Sequence, residues 1–457
     1  MTNQDATTAD PLDAVRRSIV AAMPEHIERL RWATGRLAQW RTGRLRALLA
    51  VAVDRSPYHR RRLAGVDVAR FDLADLPSLP VMSKQDMMDH FDEALTTPDL
   101  TRSALEAHLE TVTEGPRLHR GEYLPLVSGG SSGVRGLFVY DRNAMAEYLC
   151  GVLRNGLAAM LPIVGWPPNP PVPLTMVAAP SAMHATRAML GLAEGSVANS
   201  TSAPATLPFD EIVRRVQQSQ PMVLVGYATT IARLADEQAA GRLRIEPKVV
   251  LTTSEQLTNA LSGRIAAGFG SPPANSYATS EGLVGSAPPA SDVFSFAGDL
   301  AVVEFVDADD RPVPAGDIAH HVLVTNLFNH IQPLIRYRLD DRMIECPPCA
   351  DHGQPRARLQ GRTNETHVVG GATIHPLTIG TVMLRYPAVI EYQVRYTATS
   401  VRLDVVAADH ADLAAIEADV ASGLAAAGSI GVGVSARLAT AIERDPDTGK
   451  ALRFEPL

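Results

Sequence analysis

Between residues 41 and 53 arginines are set among Leu, Ala and Val at helical spacing, and Ser56-Pro57 closes the run. The first 70 residues accordingly read as helices. Leu76 to Val81, with prolines at 77 and 80, reads as a rigid extended connector, and Ser83 followed by Asp86 reads as a helix N-cap. From Leu124 short apolar runs alternate with helical patterns. Leu137 to Tyr140, Thr175 to Ala179, Met222 to Gly226 and Lys248 to Thr252 read as strands. Helices from Thr229 to Ala239 and near Thr258 to Phe269 follow the last two. Strand then helix, twice in succession, predicts a parallel α/β core. Val302 to Phe305 and His321 to Thr325 flank a Pro/Gly/Asp turn and predict a hairpin.

Past residue 361 the pattern changes. A helix over Pro376 to Tyr386, strands over Glu391 to Tyr396 and Val401 to Val406, an Ala-rich helix over Asp409 to Ala427 and a strand over Gly431 to Arg437 describe a small α+β domain. The predicted class is α/β, with a large domain over 1–361 and a small one over 362–457.

The chain has 457 residues, more than one compact core accommodates. Its net charge of −8 argues against a nucleic-acid partner. Only 3 cysteines exclude a disulfide-stapled scaffold and fit a reducing cytoplasm. No signal-like start and no uninterrupted apolar stretch of about 18 residues is seen, so no membrane partner is expected.

Five segments carry candidate chemistry. Ser128, Gly129, Gly130, Ser131, Ser132 and Gly133 form a loop whose backbone N–H groups and hydroxyls can converge on phosphate. It is not a Walker loop, and a flexible turn between strands remains the plain alternative. Its G-x-S-x-G spacing also fits a hydrolase elbow with Ser131 as nucleophile, but that needs a helix next, and Leu137 to Tyr140 reads as a strand. Tyr277, Ser280 and Glu281 offer an aromatic face, a hydroxyl and a carboxylate able to hold Mg²⁺. Leu334 to Arg342 sets charges among apolar residues, and Asp341 at a strand end suits ribose hydroxyls or a salt-bridged edge. Gly361-Arg362-Thr363-Asn364-Glu365 precedes Gly370-Gly371, and Lys450 follows Gly449 near the C-terminus. Separately, Cys346, Cys349 and His352 have zinc-like spacing, yet a closed zinc site needs four ligands, so a proline-stiffened loop is the default. Cys150 reads as a buried small residue.

In order and spacing the five segments resemble the adenylate-forming superfamily, which spans acyl- and aryl-CoA ligases, peptide-synthetase adenylation domains and luciferase. The opening Ser56-Pro57-Tyr58-His59-Arg60, followed by Asp75 to Asp86, is similar to the phenylacetate–coenzyme A ligase branch. The resemblance runs from about residue 50 to the end. It implies that Ser128 to Gly133 covers the β- and γ-phosphates and that Ser254 and Glu255 line the adenine pocket. It further implies that Tyr277 stacks on adenine, Ser280 stands at the family's Thr, Glu281 binds Mg²⁺ and Asp341 holds the ribose. Arg362 precedes the hinge, Gly371 lines the pantetheine tunnel, and Lys450 reaches the acyl carboxylate and α-phosphate. Val134-Arg135 where the family often has Lys, Asp340 for Gly, and Asn364 for Asp depart from the pattern.

The function so implied is an AMP-forming acid–thiol ligase. ATP with Mg²⁺ activates a small-molecule carboxylic acid, aromatic by analogy with the branch, and coenzyme A accepts the acyl group. An acyl carrier protein or an amine is the alternative acceptor, and a homodimer fits the branch. The acyl pocket is expected between Met176 to His184 and Tyr227, with His184 and Tyr227 equally readable as packing residues.

Overall fold

The computed structural model describes residues 11–457 apart from 113–115, 129–135, 180–190, 193, 196, 363–366, 375, 384, 387, 408–410, 447–448 and 452. Helices α1 (Pro11–Arg29), α2 (Thr34–Arg55), α3 (Pro57–Arg62), α4 (Lys84–Asp89), α5 (Phe91–Ala94) and α6 (Arg102–Glu110) form the N-terminal part. Ser56 is both stop and start: its hydroxyl accepts from the His59 amide at 3.2 Å, with Pro57 in the first turn of α3. Ser83 and Asp86 make the expected reciprocal cap of α4. The connector expected to be extended is helical over Leu73–Ser78, a 3₁₀ turn. Asp72 and Asp75 cap it reciprocally and Leu76 is buried, which offsets the proline at 77. Extended backbone begins at Leu79, and Met82 pairs with Tyr337.

Strands β1 (Leu124–Val127) and β2 (Leu137–Tyr140) form an antiparallel hairpin, followed by the long helix α7 (Arg142–Val164). Next come β3 (Val172–Val177), β4 (Ala198–Ser202), α8 (Phe209–Ser219), β5 (Val223–Gly226), α9 (Ala228–Ala239), β6 (Val249–Thr253), α10 (Asn259–Phe269), β7 (Ala274–Ala278), β8 (Val284–Ala287) and β9 (Val293–Phe296). The chain continues through β10 (Ala301–Val306), β11 (His321–Asn326), β12 (Tyr337–Leu339), β13 (Asp341–Glu345) and β14 (Arg356–Arg362).

Among the described residues nine strands form one sheet in the order β13-β14-β9-β8-β7-β6-β5-β3-β4. The half from β7 to β4 is parallel and the half from β7 to β13 antiparallel. The parallel half is the strand–helix alternation legible in the sequence. The expected hairpin is β10 with β11, which adds β12 to make a second sheet. Arg154 on α7 forms two hydrogen bonds of 2.8 and 2.7 Å with Asp299, both buried, with Arg29 of α1 alongside at 3.7 Å. This pair ties the N-terminal helices to the sheet system.

After β14 come β15 (His367–Val369), β16 (Ala372–Ile374), α11 (Pro376–Met383), β17 (Val389–Tyr396), β18 (Ser400–Ala407), α12 (Leu413–Ala426), β19 (Gly433–Leu438) and β20 (Phe454–Pro456). Four of these strands form a sheet in the order β19-β18-β17-β20, and residues from Val369 to Leu424 bury a core of their own. The small sheet has an antiparallel centre and parallel edges.

Candidate active site

Beyond β7 the chain turns through Thr279 to Gly282 into β8. Gly282 has φ +94, and a Cβ there would lie 2.2 Å from the Asn326 amide nitrogen, so the turn requires glycine. Three successive carbonyls of the turn accept from side chains of other elements. The Tyr148 hydroxyl donates to Thr279 at 2.6 Å, the Tyr140 hydroxyl to Ser280 at 2.5 Å, and Asn326 Nδ2 to Glu281 at 2.9 Å. The two tyrosine rings are buried and stacked 5.5 Å apart. Buried donors on buried acceptors fix a turn that would otherwise hold only local bonds.

The β1–β2 hairpin is anchored to the same region. Gln332 accepts from the Val139 amide at 2.9 Å and donates to the Leu137 carbonyl at 3.1 Å, and Asn329 donates to the Val139 carbonyl at 2.9 Å. Side-chain amides thus serve the strand edge that β1 leaves unpaired. At the hairpin tip the Ser128 amide donates to the Gly136 carbonyl at 3.0 Å, and the Ser128 hydroxyl accepts from the Gly136 amide at 3.1 Å. Gly129, Gly130, Ser131, Ser132 and Gly133 lie outside the described residues, as do His184 and Asn364. The flanking strands still correct the hydrolase alternative. The segment joins antiparallel partners, Val127 opposite Leu137, whereas an elbow at Ser131 needs a helix to follow.

Glu281 is 5% exposed. Burial raises its carboxyl above the ordinary range, while Lys84 at the start of α4 and Arg362 oppose that rise and Asp341 adds to it. Asp341 and Arg362 are register partners on β13 and β14, with Nε to Oδ1 at 3.4 Å. Tyr277 stands beside them, its hydroxyl pushed well up by burial and by the Asp341 carboxylate, its ring edge-on to Phe296 at 5.8 Å. Tyr277, Glu281, Asp341 and Arg362 are therefore one cluster.

Lys450 is brought to the same cleft by a hairpin in which Arg444 bridges Ala451. The Asp445 amide donates to the Lys450 carbonyl at 2.9 Å. Gly449 has φ +72, and a Cβ on it would be 2.6 Å from the Ala205 carbonyl carbon, so the hairpin sits directly on the large domain. Lys450 Nζ is 5.8 Å from the centre of the Tyr227 ring. Burial lowers the Lys450 pKa, the Glu255 carboxylate works against that, and Arg362 adds to the lowering. Tyr227 is buried, and its hydroxyl accepts from the Ala179 amide at 2.9 Å. Ser254 is exposed at φ +62. Glu255 Oε2 accepts from the Thr229 amide at 3.0 Å and the Thr229 hydroxyl at 2.9 Å, and its Oε1 accepts from the Ala451 amide at 3.3 Å. Gly371 is exposed in the two-residue turn between β15 and β16, where Val369 pairs with Ala372.

The zinc alternative is not supported. Among the described residues no three His, Cys, Asp or Glu side chains gather to hold a metal. Cys346 instead turns its thiol to the Ile344 carbonyl, Cys349 lies by Asp351, and His352 Nδ1 accepts from the Gln354 amide at 3.2 Å. Among the described residues no helix is long and apolar enough to cross a membrane.

A cavity of about 130 Å³ lies between α7 and the parallel strands. Tyr148, Val152, Gly156 and Met160 form one wall at i,i+4 spacing, and Met176, Val225 and Leu251 form another. Ser276 and Ala278 face it, and Tyr277 between them packs to the other side, as strand alternation requires. Met176 is shared with the expected acyl pocket, but α7 and not Tyr227 supplies the wall. Tyr140, Tyr148, Asn326, Asn329 and Gln332 escaped the sequence reading. The one signal available was the three-residue spacing of the last three, just before Leu334.

No protein-family model matches the chain. It is 25% identical over 368 residues to a phenylacetate–coenzyme A ligase from Thermus thermophilus, covering 77% of this chain and 76% of the relative. A crystal structure of 2-hydroxyisobutyryl-CoA ligase in the postadenylation state superposes with a TM-score of 0.70 at 18% identity, covering 94% of this chain and 91% of the other. The same ligase in the thioesterification state, with 2-HIB-AMP and CoA, gives 0.55 at 17% identity over the same shares of the two chains. The chain has the fold of these ligases, and in sequence it is similar to a member of the adenylate-forming superfamily.

Proposed function

We propose that this chain couples an apolar carboxylic acid to coenzyme A through an acyl-AMP, with release of pyrophosphate and then AMP. The observation that carries the reading is the placement of Arg362. It pairs with Asp341, and its charge reaches Glu281, Tyr277 and Lys450. Groups spread over 174 positions, from Tyr277 to Lys450 (450 − 277 + 1), thus share one cleft.

A carboxylate is a weak nucleophile repelled by a triphosphate, so catalysis rests on positioning and charge neutralisation. In this reading Ser128 to Gly133 holds the β- and γ-phosphates, with Ser128 closing the base of the loop. Tyr277 stacks on adenine beside Ser254 and Ser280, and Asp341 accepts from the ribose hydroxyls while Arg362 holds its carboxylate in place. Lys450 balances charge on the acyl carboxylate and α-phosphate as the acyl–oxygen–phosphorus link forms and the bond to pyrophosphate breaks. Glu281 would hold a Mg²⁺: its carboxyl is buried and pushed toward the neutral form, and a divalent cation beside it would favour the carboxylate. When bound, that ion supplies the countercharge the phosphates need.

The acyl tail occupies the cavity along α7. Its lining is hydrocarbon except for the Tyr148, Thr253 and Ser276 hydroxyls, so it accepts an aryl or alkyl group and excludes a second charge. The greater likeness to the postadenylation structure agrees with Lys450 lying in the cleft. In the second half-reaction the small domain turns about Arg362, the Gly371 turn approaches, and the thiol sulfur bonds to the acyl carbon as the bond to AMP breaks.

The test is product analysis. The protein is incubated with ATP, Mg²⁺, CoA and a panel of aryl and alkyl acids, and thioesters and AMP are read by mass. Acyl-CoA and AMP in equal amounts are expected with apolar acids. Acyl-AMP that forms but passes only to a carrier-protein thiol or an amine would overturn CoA as the acceptor.

A further inference from the structure

Tyr227 is the N-cap residue of helix α9, and its side chain makes no capping hydrogen bond. The cap comes from Glu255, just beyond β6, whose Oε2 accepts from the amide and hydroxyl of Thr229. The second oxygen of the same carboxylate accepts from the Ala451 amide, one residue past Lys450. The helix N-terminus favours negative charge at this spot, so the carboxylate is well placed to hold both partners.

A second strut converges on the same threonine. Arg444 Nη1 reaches the Thr229 hydroxyl and the Gly449 carbonyl, both at 3.4 Å, and its Nη2 pairs with Glu391 of β17 at 2.7 Å. The Thr229 hydroxyl thus donates to Glu255 and accepts from Arg444. Further along, Arg264 of α10, paired with Asp236, donates to the Ile390 carbonyl at 3.0 Å. These side-chain contacts join β17 and the Lys450 hairpin to the N-terminal end of α9 and to the neighbouring α10.

We infer that Glu255, together with Thr229, is a positioning residue that latches the Lys450 hairpin onto the start of α9 and holds the chain in its adenylate-forming arrangement. The inference rests on the activity proposed above and goes beyond it in assigning Glu255 to the hairpin and not to the nucleotide. Such a latch acts on one half-reaction. It must be made while Lys450 works and broken before the small domain can turn.

The test uses the full chain with Glu255→Gln, Thr229→Val and Thr229→Ser. Glutamine keeps the size of the side chain but turns an NH₂ group toward one of its two partners. Adenylation turnover should fall about tenfold, the scale of one hydrogen bond to a charged acceptor, with the KM for ATP within about twofold of the parent. Thioester formation from supplied acyl-adenylate and CoA should be unchanged or faster, because the latch has to open before that step. Thr229→Val should behave like Glu255→Gln, and Thr229→Ser, which restores the hydroxyl, like the parent. Hydrogen exchange at the Ala451 amide should quicken in the first two variants. A raised KM for ATP with normal turnover would give Glu255 to the nucleotide and overturn the latch. Equal loss in both half-reactions, or unchanged exchange at Ala451, would overturn it as well. A parent protein without adenylation would refute the proposed activity, and exchange at Ala451 would still decide the latch.

Discussion

The Tyr148 hydroxyl donates to the Thr279 carbonyl at 2.6 Å, so the helix that walls the cavity also holds the turn that presents Glu281. In the proposed reading, the acid site and the Glu281 carboxylate are thereby coupled through one side chain. Tyr148→Phe removes one of the two donors to the Thr279 carbonyl, leaving the Gly282 amide at 3.0 Å, and should cost about 0.5–1.5 kcal/mol of stability. It should lower adenylation turnover and also change the KM for the acid. Tyr140→Phe frees the neighbouring Ser280 carbonyl but lies off the cavity, and should lower turnover with the acid KM unchanged. Thermal melts and steady-state kinetics on both variants separate the two.

Gly156 should set the depth of the acid site. It lines the cavity, and a Cβ there would meet only Leu251 at 3.7 Å, so Gly156→Ala is tolerated and Gly156→Leu fills space without striking backbone. Gly156→Leu is expected to shift preference toward shorter acids by about 10-fold or more in kcat/KM, the scale of one or two methylenes. Competition between a long and a short acid reads this directly.

The parallel half of the large sheet was legible because buried strands alternate with amphipathic helices: Val223–Gly226 then α9, Val249–Thr253 then α10. The segments around Tyr277, Glu281, Asp341, Arg362 and Lys450 were legible as an ordered set. What holds them was not. Tyr140, Tyr148, Asn326 and Gln332 act on backbone carbonyls and amides far away in the chain, and no local pattern marks a side chain that bonds to remote backbone. The 3₁₀ turn at Leu73–Ser78 was hidden for a related reason: Pro77 within it and Pro80 beyond it argue for extension, while the Asp72–Asp75 cap lies just upstream of both. The partners of Glu255 likewise come from α9 and from the C-terminal hairpin, which only the folded chain brings together.

Lys450 should set the basic limb of the pH profile. Burial favours its neutral form, so its pKa lies below that of an ordinary lysine. Adenylation needs the protonated ammonium and should therefore decline as pH rises through that lowered value. Lys450→Arg, which does not titrate in this range, should lose the limb whatever its absolute rate. Pyrophosphate release followed from neutral to strongly basic pH checks the sign.

The Arg154–Asp299 pair makes a prediction about stability. Burial disfavours the Asp299 carboxylate, but the Arg154 guanidinium beside it wins and holds its pKa below the usual value. Asp299→Asn leaves a buried arginine uncompensated and should cost about 3–5 kcal/mol in denaturant unfolding at neutral pH. A depressed carboxyl pKa stabilises the fold above the unfolded-state value and ceases to as pH falls through the folded one. The gap between parent and variant should therefore narrow on acidification below the ordinary carboxylate range.

The central claim is that this cleft adenylates an apolar acid with Lys450 as the mobile cation. Acid-dependent exchange of labelled pyrophosphate into ATP measures that step without CoA or any acceptor. The account predicts exchange with aryl or alkyl acids, none with dicarboxylic acids of similar size, and a loss of about 10²–10³ in Lys450→Ala. Absence of exchange across the panel, or exchange that survives intact in Lys450→Ala, would contradict it.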